Sequence, residues 1–303
     1  MKRLILTVFI SCYATLLSFS QTENKDDSLL LNKDDVSLTF KRKSGNLFID
    51  TQIDTCKVKL MLESGTPGLI LDEELYGKIK DKSGFNIKES HRSYRTVIKT
   101  EKIKYQGTCK INVGNILYDG PVFIMERSTD KSIPLQFVKH PKSKKSYISF
   151  DNNKNRLIVH KRLNKSVSHK KYIAFHYNKD GEPTVNTRLY FTNYNTDMEL
   201  IGNFIIDFGN ASLLALNTNL QEVNDSIQNR NVRLDIAKDK NSGRIVGKGI
   251  YAPSMTLLDN SFEKVSIGVT DKLKSLKEFG YIGYKVFKRP VTFDFEKNKL
   301  YYW

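Results

Sequence analysis

Two short segments of the chain each place one carboxylate two residues before a glycine, at the end of an apolar run. The first carries Glu63 and Gly65, and the second carries Asp207 and Gly209. An apolar run that leads into an acid and a glycine indicates a strand that delivers the acid to a tight turn, because glycine permits close backbone approach. The chain therefore contains an acid–x–Gly loop twice, 144 residues apart.

Two such carboxylates could perform acid–base chemistry if the fold brought them together. Two acids at contact distance do not both ionise easily, so one keeps its proton while the other stays charged and polarises a shared water. That water can attack an amide carbonyl while the protonated acid donates to the carbonyl oxygen, without a metal ion or cofactor. The sequence predicts Asp207 and Glu63 as this catalytic pair, supported by Ser64, Gly65 and Gly209. The alternatives are that either acid is an ordinary turn residue and that Ser64 merely caps its turn.

Other matches at nearly the same spacing indicate an internal duplication. Residues 150–157 correspond to residues 293–300 at an offset of 143, with Phe, Asp, Lys, Asn and Leu identical. A softer correspondence relates residues 113–124 to residues 257–267. A period of this length is too long for a solenoid repeat. The chain of 303 residues therefore predicts two homologous lobes, each long enough to bury its own core.

Alternating apolar and polar residues between Gly-rich and Asn-rich turns predict an all-β protein with two or three short helices, among them 72–79 and 275–279. The predicted organisation is a signal peptide, a mobile lead-in, a first lobe, a basic interlobe linker and a second lobe. Their boundaries are 1–20, 21–35, 36–160, 161–171 and 172–303.

The N-terminus predicts export. A basic start at Met1–Arg3, an apolar core and small residues near position 20 are typical of a secretory signal cleaved before Gln21. Ordinary export to the periplasm or the extracellular space is favoured over lipidation at Cys12, because the apolar region continues past that cysteine. No later segment has the length of a membrane-spanning helix.

Charge and cysteine content refine these expectations. The net charge of +16 is spread over strands and turns without a nucleic-acid-binding motif, so no nucleic-acid partner is expected. Cys56 and Cys109 remain after signal removal, and two cysteines in an exported chain are candidates for a disulfide worth about 4 kcal/mol. The alternative is two buried thiols. The five histidines show no metal-ligand spacing, so no metal ion is expected; they are His91, His140, His160, His169 and His176.

Taken together, the duplicated acid loop, the Tyr281–Phe287 segment with its apolar–apolar–Gly pattern, and the closing Phe-Asp hairpin resemble the exported bacterial members of the aspartic-peptidase clan. The resemblance spans roughly residues 36–303. It implies two pepsin- or retropepsin-like β-barrel lobes that face each other across a cleft, with a peptide or protein as substrate or ligand. A substrate flap in the first lobe would carry Tyr94. Nothing in the sequence fixes the oligomeric state.

The chain departs from the Asp-Thr/Ser-Gly triplet of this family at both loops. Glu63 is one methylene longer than aspartate, and Phe208 has no hydroxyl for the hydrogen bonds that lace the two loops together. The first lobe also shows no apolar–apolar–Gly support, and its residues 133–146 look shortened. Two functions therefore stay open: hydrolysis of peptide bonds by water held between Asp207 and Glu63, or an inactive pseudopeptidase that binds a peptide or envelope component in its cleft. The Asp207–Gly209 triplet also matches the kinase metal-binding motif, but no glycine-rich phosphate loop accompanies it.

Overall fold

The computed structural model describes residues 32–81, 84–95, 100–127, 130–194, 196–238, 245–271 and 276–302. The predicted signal peptide and residues 21–31 of the predicted lead-in lie outside these ranges. Among the described residues, no helix has the length and hydropathy needed to cross a bilayer.

The first half of the chain forms thirteen strands: β1 Val36–Thr39, β2 Lys41–Lys43, β3 Asn46–Ile53, β4 Cys56–Glu63, β5 Leu69–Asp72, β6 Phe85–Glu89, β7 Ser93–Arg95, β8 Thr100–Val113, β9 Ile116–Met125, β10 Ser132–Pro134, β11 Val138–Lys139, β12 Tyr147–Asp151 and β13 Arg156–Val159. The second half forms eleven: β14 Tyr172–Ala174, β15 His176–Tyr177, β16 Pro183–Asn193, β17 Thr196–Asp207, β18 Leu214–Asn217, β19 Asp235–Lys238, β20 Ile245–Leu257, β21 Asn260–Thr270, β22 Gly280–Gly283, β23 Val291–Asp294 and β24 Lys299–Tyr302. The described helices are α1 Glu73–Ile79, α2 Lys165–Ser168 and α3 Gln221–Asn229, with 3-10 helices at Leu135–Phe137 and Tyr284–Val286.

These strands build two barrel-like lobes, as the sequence predicted. In the first lobe the strand order is β11-β9-β5-β10-β4-β3-β8-β6, and an additional pairing of β8 with β9 curls the sheet onto itself. In the second lobe the order is β15-β16-β17-β22-β18-β21-β20-β19, and β16 pairs with β20 in the same way. The side chains on the inner face of each curled sheet are apolar and buried, among them Leu60 and Leu62 of β4 and Phe204 and Ile206 of β17.

A six-stranded sheet joins the two lobes, in the order β1-β13-β12-β23-β24-β14. At its centre β12 pairs antiparallel with β23, and Ser149 lies opposite Thr292. The two buried hydroxyls are hydrogen-bonded at 2.6 Å. Because these residues are separated by the 143-residue repeat, the two halves of the chain meet at equivalent positions.

The closing hairpins of the two halves repeat the same turn. Asp151 Oδ1 accepts the backbone N–H groups of Asn153 and Lys154. Asp294 Oδ1 accepts those of the residues two and three positions later, in the same pattern. The Phe-Asp match seen in the sequence therefore reflects one local structure used twice.

The helix predictions fared unequally. The helix expected over 72–79 is α1, where the Asp72 carboxylate caps the helix by accepting the Leu75 N–H at 2.9 Å. The helix expected over 275–279 is wrong for the described residues 276–279, which are not helical. There the Phe279 N–H donates to Asn203 O and the Phe279 carbonyl accepts from Asn217, so neighbouring strands use its backbone groups.

The predicted disulfide is not formed, and both cysteines are free. Cys56 pairs with Ile53 on β3, and Ile53 in turn lies opposite Val113 on β8. Cys109 lies four residues from Val113 along β8, and four residues of extended strand span about 13 Å. A disulfide needs Cα atoms within about 7 Å, so this topology keeps the two thiols apart. Burial, with a smaller contribution from Asp119, raises the pKa of Cys109 to about 12.

Candidate active site

The two acids lie at equivalent positions, at the ends of equivalent strands. Glu63 is the last residue of β4, and Asp207 is the last residue of β17. Each strand has a parallel neighbour that ends beside the acid: Pro134 of β10 lies opposite Glu63, and Gly283 of β22 lies opposite Asp207. Both strands are inner strands of their sheets, and each ends with its carboxylate beside the loop of the other lobe.

The two carboxyl groups meet, and each lies over the glycine of the opposite loop. A Cβ added at Gly209 would overlap the Glu63 carboxyl group, and a Cβ added at Gly65 would lie 2.7 Å from Asp207 Cγ. The Glu63 and Asp207 side chains are hydrogen-bonded to each other. The two acids that the sequence predicted as a pair therefore lie in contact, and the glycines of their loops make room for them.

The two buried members of the pair differ in how far the protein shifts the pKa of each. Burial raises the pKa of Glu63 well above its ordinary value, and the neighbouring Asp207 charge adds to this effect. Burial also raises the pKa of Asp207, but hydrogen bonds from Glu63 and from backbone N–H groups, including Gly209 N at 2.9 Å, oppose the rise. The stronger rise at Glu63 and the opposing hydrogen bonds at Asp207 favour Glu63 as the member that carries the proton when the pair holds one.

Ser64 links the two loops through its hydroxyl. Its Oγ donates to the Ile206 carbonyl at 2.6 Å and accepts the Phe208 N–H at 3.1 Å. Both bonds are buried, so the hydroxyl satisfies two backbone groups of the opposite loop that water does not reach. Both contacts are to the backbone of the opposite loop, so Ser64 connects the two loops; whether it orients the carboxylates stays a prediction.

Phe208 occupies the position equivalent to Ser64 but turns away from the pair. Its ring is fully buried and packs against Phe150 edge-on at 4.8 Å between centroids, against Phe287 at 5.8 Å and against Phe293 at 5.7 Å. We call these four residues the aromatic cluster. The ring does not fill the space between the carboxylates. The side-chain hydroxyl that links the two loops is therefore that of Ser64.

The first acid loop has a supporting segment, although the sequence predicted that the first lobe would lack one. The first lobe does have a counterpart of the β22 segment: β10 with its following 3-10 helix matches β22 with its own. Pro134 stands where Gly283 stands, and Gly283 donates its N–H to Leu213 O at 2.9 Å. Proline has no N–H, so the first lobe lacks the equivalent bond. Sequence reasoning missed this support because it searched for a glycine.

Tyr94 lies on the hairpin predicted to act as a flap. β7 pairs with β8, and Tyr94 is opposite Glu101. The residue is half-buried against Ile70, Ile103 and Met125. Burial and the nearby carboxylates, Glu63 first among them, raise the pKa of its phenol. The hairpin therefore sets this phenol within electrostatic reach of the acid pair.

Two polar residues near the pair were not predicted. Glu182 follows the turn that leads into β16 and is 8% exposed. Gln136, in the 3-10 helix after β10, donates from Nε2 to Thr66 O at 3.1 Å and, at 3.4 Å, to the carbonyls of Ser64 and Gly181. Neither stands in an acid–x–Gly pattern, so no local sequence signal marks them. Within the described ranges, no group of three or more His, Cys, Asp or Glu side chains could hold a metal ion.

Comparisons with known proteins agree with this architecture. No protein-family model and no curated protein matches the chain. Among solved structures, the chain is similar to the crystal structure of an aspartic proteinase from Irpex lacteus, with a TM-score of 0.53 and 11% sequence identity. The similarity covers 88% of this chain and 96% of that chain.

The similarity extends over both lobes, so the chain has the two-lobed, pepsin-like fold of aspartic proteinases. The fold predicted from the duplicated loops is confirmed. A structural similarity at 11% sequence identity supports the fold but not the activity. The roles of individual site residues, the domain boundaries and the export of the chain stay predictions.

Proposed function

We propose that this chain is an aspartic-type peptidase whose catalytic pair is Glu63 and Asp207. The observation that carries the proposal is the buried contact between the two carboxyl groups, each lying over the glycine of the opposite loop. A carboxyl pair that shares one proton is the device by which two acids activate water at an amide bond. The pepsin-like fold supplies a cleft between the lobes for a peptide or protein substrate.

In the proposed reaction Asp207 is the general base and Glu63 the general acid. The charged Asp207, held by backbone N–H groups, accepts a proton from water as the water attacks the scissile carbonyl. Glu63 donates its proton to the carbonyl oxygen, which becomes a hydroxyl in the tetrahedral intermediate. Asp207 then passes the proton it received to the leaving amine as the C–N bond breaks, and Glu63 regains a proton from the collapsing hydroxyl.

The first test removes the base. We expect Asp207→Asn to lower kcat/KM for peptide hydrolysis by about 10²- to 10⁴-fold, the usual contribution of a positioned acid or base. The control is Asp197→Asn, at the exposed start of the same strand, which should leave hydrolysis unchanged. An Asp207→Asn protein as active as the wild type would refute the proposal.

The second test is the pH dependence of kcat/KM. Activity needs one proton on the pair, so it should fall at low pH as Asp207 gains a proton and at high pH as Glu63 loses its own. Because the pKa of Glu63 is raised well above its ordinary value, we expect the alkaline limb to lie above pH 4.5. The acid limb should disappear in any residual activity of Asp207→Asn. A profile that is flat between pH 3 and 8 would contradict a shared-proton pair.

The second candidate function is a pseudopeptidase that binds a peptide or envelope component without cleaving it. It is favoured by three features: the extra methylene of Glu63, the missing hydroxyl at Phe208 and the proline at position 134. A displacement of about 1 Å at a catalytic group can cost ~100-fold in rate. In this case Glu63→Asp should turn an inert protein into an active one.

Restoring the hydroxyl by Phe208→Thr is a weaker discriminator than Glu63→Asp. The ring of Phe208 fills part of the aromatic cluster, so the substitution would leave a cavity. It should be measured together with the free energy of unfolding, and at a temperature where the variant is folded.

We also propose that the chain is exported and that its mature form begins at Gln21. The support is the sequence pattern of residues 1–20. Mass spectrometry of the N-terminus of protein recovered outside the cytoplasm tests it, and a mature chain that still begins at Met1 would contradict it.

A further inference from the structure

Glu182 is a third buried carboxyl group beside the acid pair, and it takes no part in the proposed reaction. β16 and β17 are antiparallel, with Thr184 opposite Ile205. Continuing that register by two residues places Glu182 opposite Asp207. Residues opposite each other in an antiparallel pair have side chains on the same face, with Cβ atoms about 5 Å apart. Glu182 is therefore the cross-strand neighbour of Asp207 on the face that carries the pair.

The position of Glu182 is fixed by both lobes. Asn178 Nδ2 donates to Glu182 Oε2 at 2.8 Å, and Asn178 Oδ1 accepts the Glu182 N–H at 3.0 Å. The Gly181 carbonyl accepts from Gln136 Nε2 of the first lobe at 3.4 Å. Gln136 also holds the Thr66 carbonyl in the first acid loop. The turn that carries Glu182 is thus tied to the loop that carries Glu63.

This region holds two buried polar atoms that have no hydrogen-bond partner among the described residues. Gln136 is 6% exposed, and within the part of the chain that the structure describes its Oε1 has no hydrogen-bond partner. Because Oε1 and Nε2 belong to one carboxamide, the unpaired oxygen lies close to the Gly181 carbonyl that Nε2 contacts. The Thr66 hydroxyl is buried and unpaired in the same described part of the chain. A ligand that brings an N–H donor would satisfy the Gln136 carboxamide oxygen, which can only accept a hydrogen bond.

Aromatic side chains flank the carboxylate. Tyr281 lies opposite Ile205 on the parallel neighbour β22, so it shares the face of Asp207 and Glu182. Tyr94 approaches from the hairpin of the first lobe, close enough for Glu182 to raise the pKa of its phenol. An acid with two phenol rings nearby suits a side chain with an apolar stem and a cationic end, since rings pack along the stem and attract the cation.

We propose that Glu182 is a specificity-determining residue that selects a substrate with a lysine or arginine close to the scissile bond. This inference rests on the proposed function, since it places the basic side chain in the cleft beside Asp207. The ammonium or guanidinium group donates to the Glu182 carboxylate, and its stem packs against Tyr281. With a neutral side chain at that position, Glu182 has no cation to pair with.

The titration of Glu182 agrees with this role. Burial raises its pKa to about 7, the Asn178 hydrogen bond opposes the rise, and the charges of Asp207, Asp180 and Glu278 add to it. At pH 6 the unliganded carboxyl group is therefore mostly protonated. A cation bound against it favours the charged form, so binding of a basic side chain should release close to one proton.

The test uses pairs of statine-containing hexapeptides that differ at one position, lysine in one and norleucine in the other. The position is moved in turn along both sides of the statine. We expect lysine to bind about 10- to 100-fold tighter than norleucine at one position, as for a hydrogen-bonded charge pair. Glu182→Gln should remove this preference. The control Glu199→Gln, on the exposed part of β17, should keep it.

A second readout separates recognition from a purely structural effect. Calorimetry at pH 6 in two buffers of different ionisation enthalpy measures the protons released on binding. With wild type, the lysine peptide should release close to one proton more than the norleucine peptide. With Glu182→Gln, the two peptides should release equal numbers of protons. A substitution that only loosened the cleft would weaken both peptides together.

The outcomes also distinguish this inference from the proposed hydrolysis. Equal affinity for the two peptides at every position, or a lysine preference that survives Glu182→Gln, would overturn the role of Glu182 even if peptides are cleaved. Lysine-selective binding that depends on Glu182, in a protein that cleaves no peptide, would support the selectivity and refute hydrolysis. Failure of wild type to bind any of the peptides would overturn both.

Discussion

The two acid loops share a backbone but differ in what their middle residues do. In the first loop Ser64 reaches across to hydrogen-bond Ile206 and Phe208 of the second loop. In the second loop the side chain of Phe208 packs back into the aromatic cluster of its own barrel and the central sheet. One loop is thus attached to its partner by hydrogen bonds, and the other is anchored by apolar burial.

The parallel neighbours of the two acid strands differ in a related way. Gly283 is required where it stands, because an added Cβ would overlap the Ser212 carbonyl. The first lobe has Pro134 at the equivalent position. Two residues later, Gln136 donates hydrogen bonds to backbone carbonyls of the acid loop. The second loop is supported by backbone groups and the first by a side chain. Equivalent positions in a duplicated fold can therefore keep their geometry while the interactions that maintain it change.

The largest effect is expected at the glycines that make room for the two carboxyl groups. Gly209→Ala should displace the Glu63 carboxyl group and lower peptide hydrolysis by at least ~100-fold, the cost of a displacement near 1 Å. Gly65→Ala should lower it less, because its Cβ would lie 2.7 Å from Asp207 Cγ and overlap less. The control is Gly77→Ala in α1, where a Cβ meets nothing within 4 Å. Equal activity of Gly209→Ala and Gly77→Ala would contradict the close contact between Gly209 and the Glu63 carboxyl group.

A smaller effect, on stability, should appear when the aromatic anchor is removed. We expect Phe208→Ala to lower the free energy of unfolding by about 3 to 5 kcal/mol, the usual cost of deleting a buried ring. Urea denaturation monitored by fluorescence measures it. Phe208→Leu, which keeps most of the volume, should lose clearly less. A loss below 1 kcal/mol for Phe208→Ala would show that the second loop is not anchored by packing.

The smallest effect on the free energy of unfolding is expected at Ser64, whose hydroxyl links the two loops. Ser64→Ala removes one buried hydroxyl that serves two backbone groups, so we expect a loss of about 1 to 3 kcal/mol in the free energy of unfolding. Ser64→Thr keeps the hydroxyl and should recover most of the loss. If Ser64→Ala destabilised the protein more than Phe208→Ala, the contrast between the two loops would be reversed.

The sequence alone identified the acid pair and the duplication. Carboxylate, glycine and apolar strand recur at one spacing, and this order is visible without coordinates because each element of the signal is local. The Phe-Asp hairpins were visible for the same reason. The repeated order also implied that two lobes would face each other, and hence that Glu63 and Asp207 would meet.

Tertiary structure alone decided which neighbours surround the pair. The tertiary structure placed Glu182 near Asp207, Gln136 against two loops and Pro134 in the place of a glycine. It also separated Cys56 from Cys109, because strand order within a barrel is not written in the composition of the strands. A local pattern specifies how a strand ends, whereas the register between strands far apart in sequence specifies what meets it there, and that register is fixed only when the core packs.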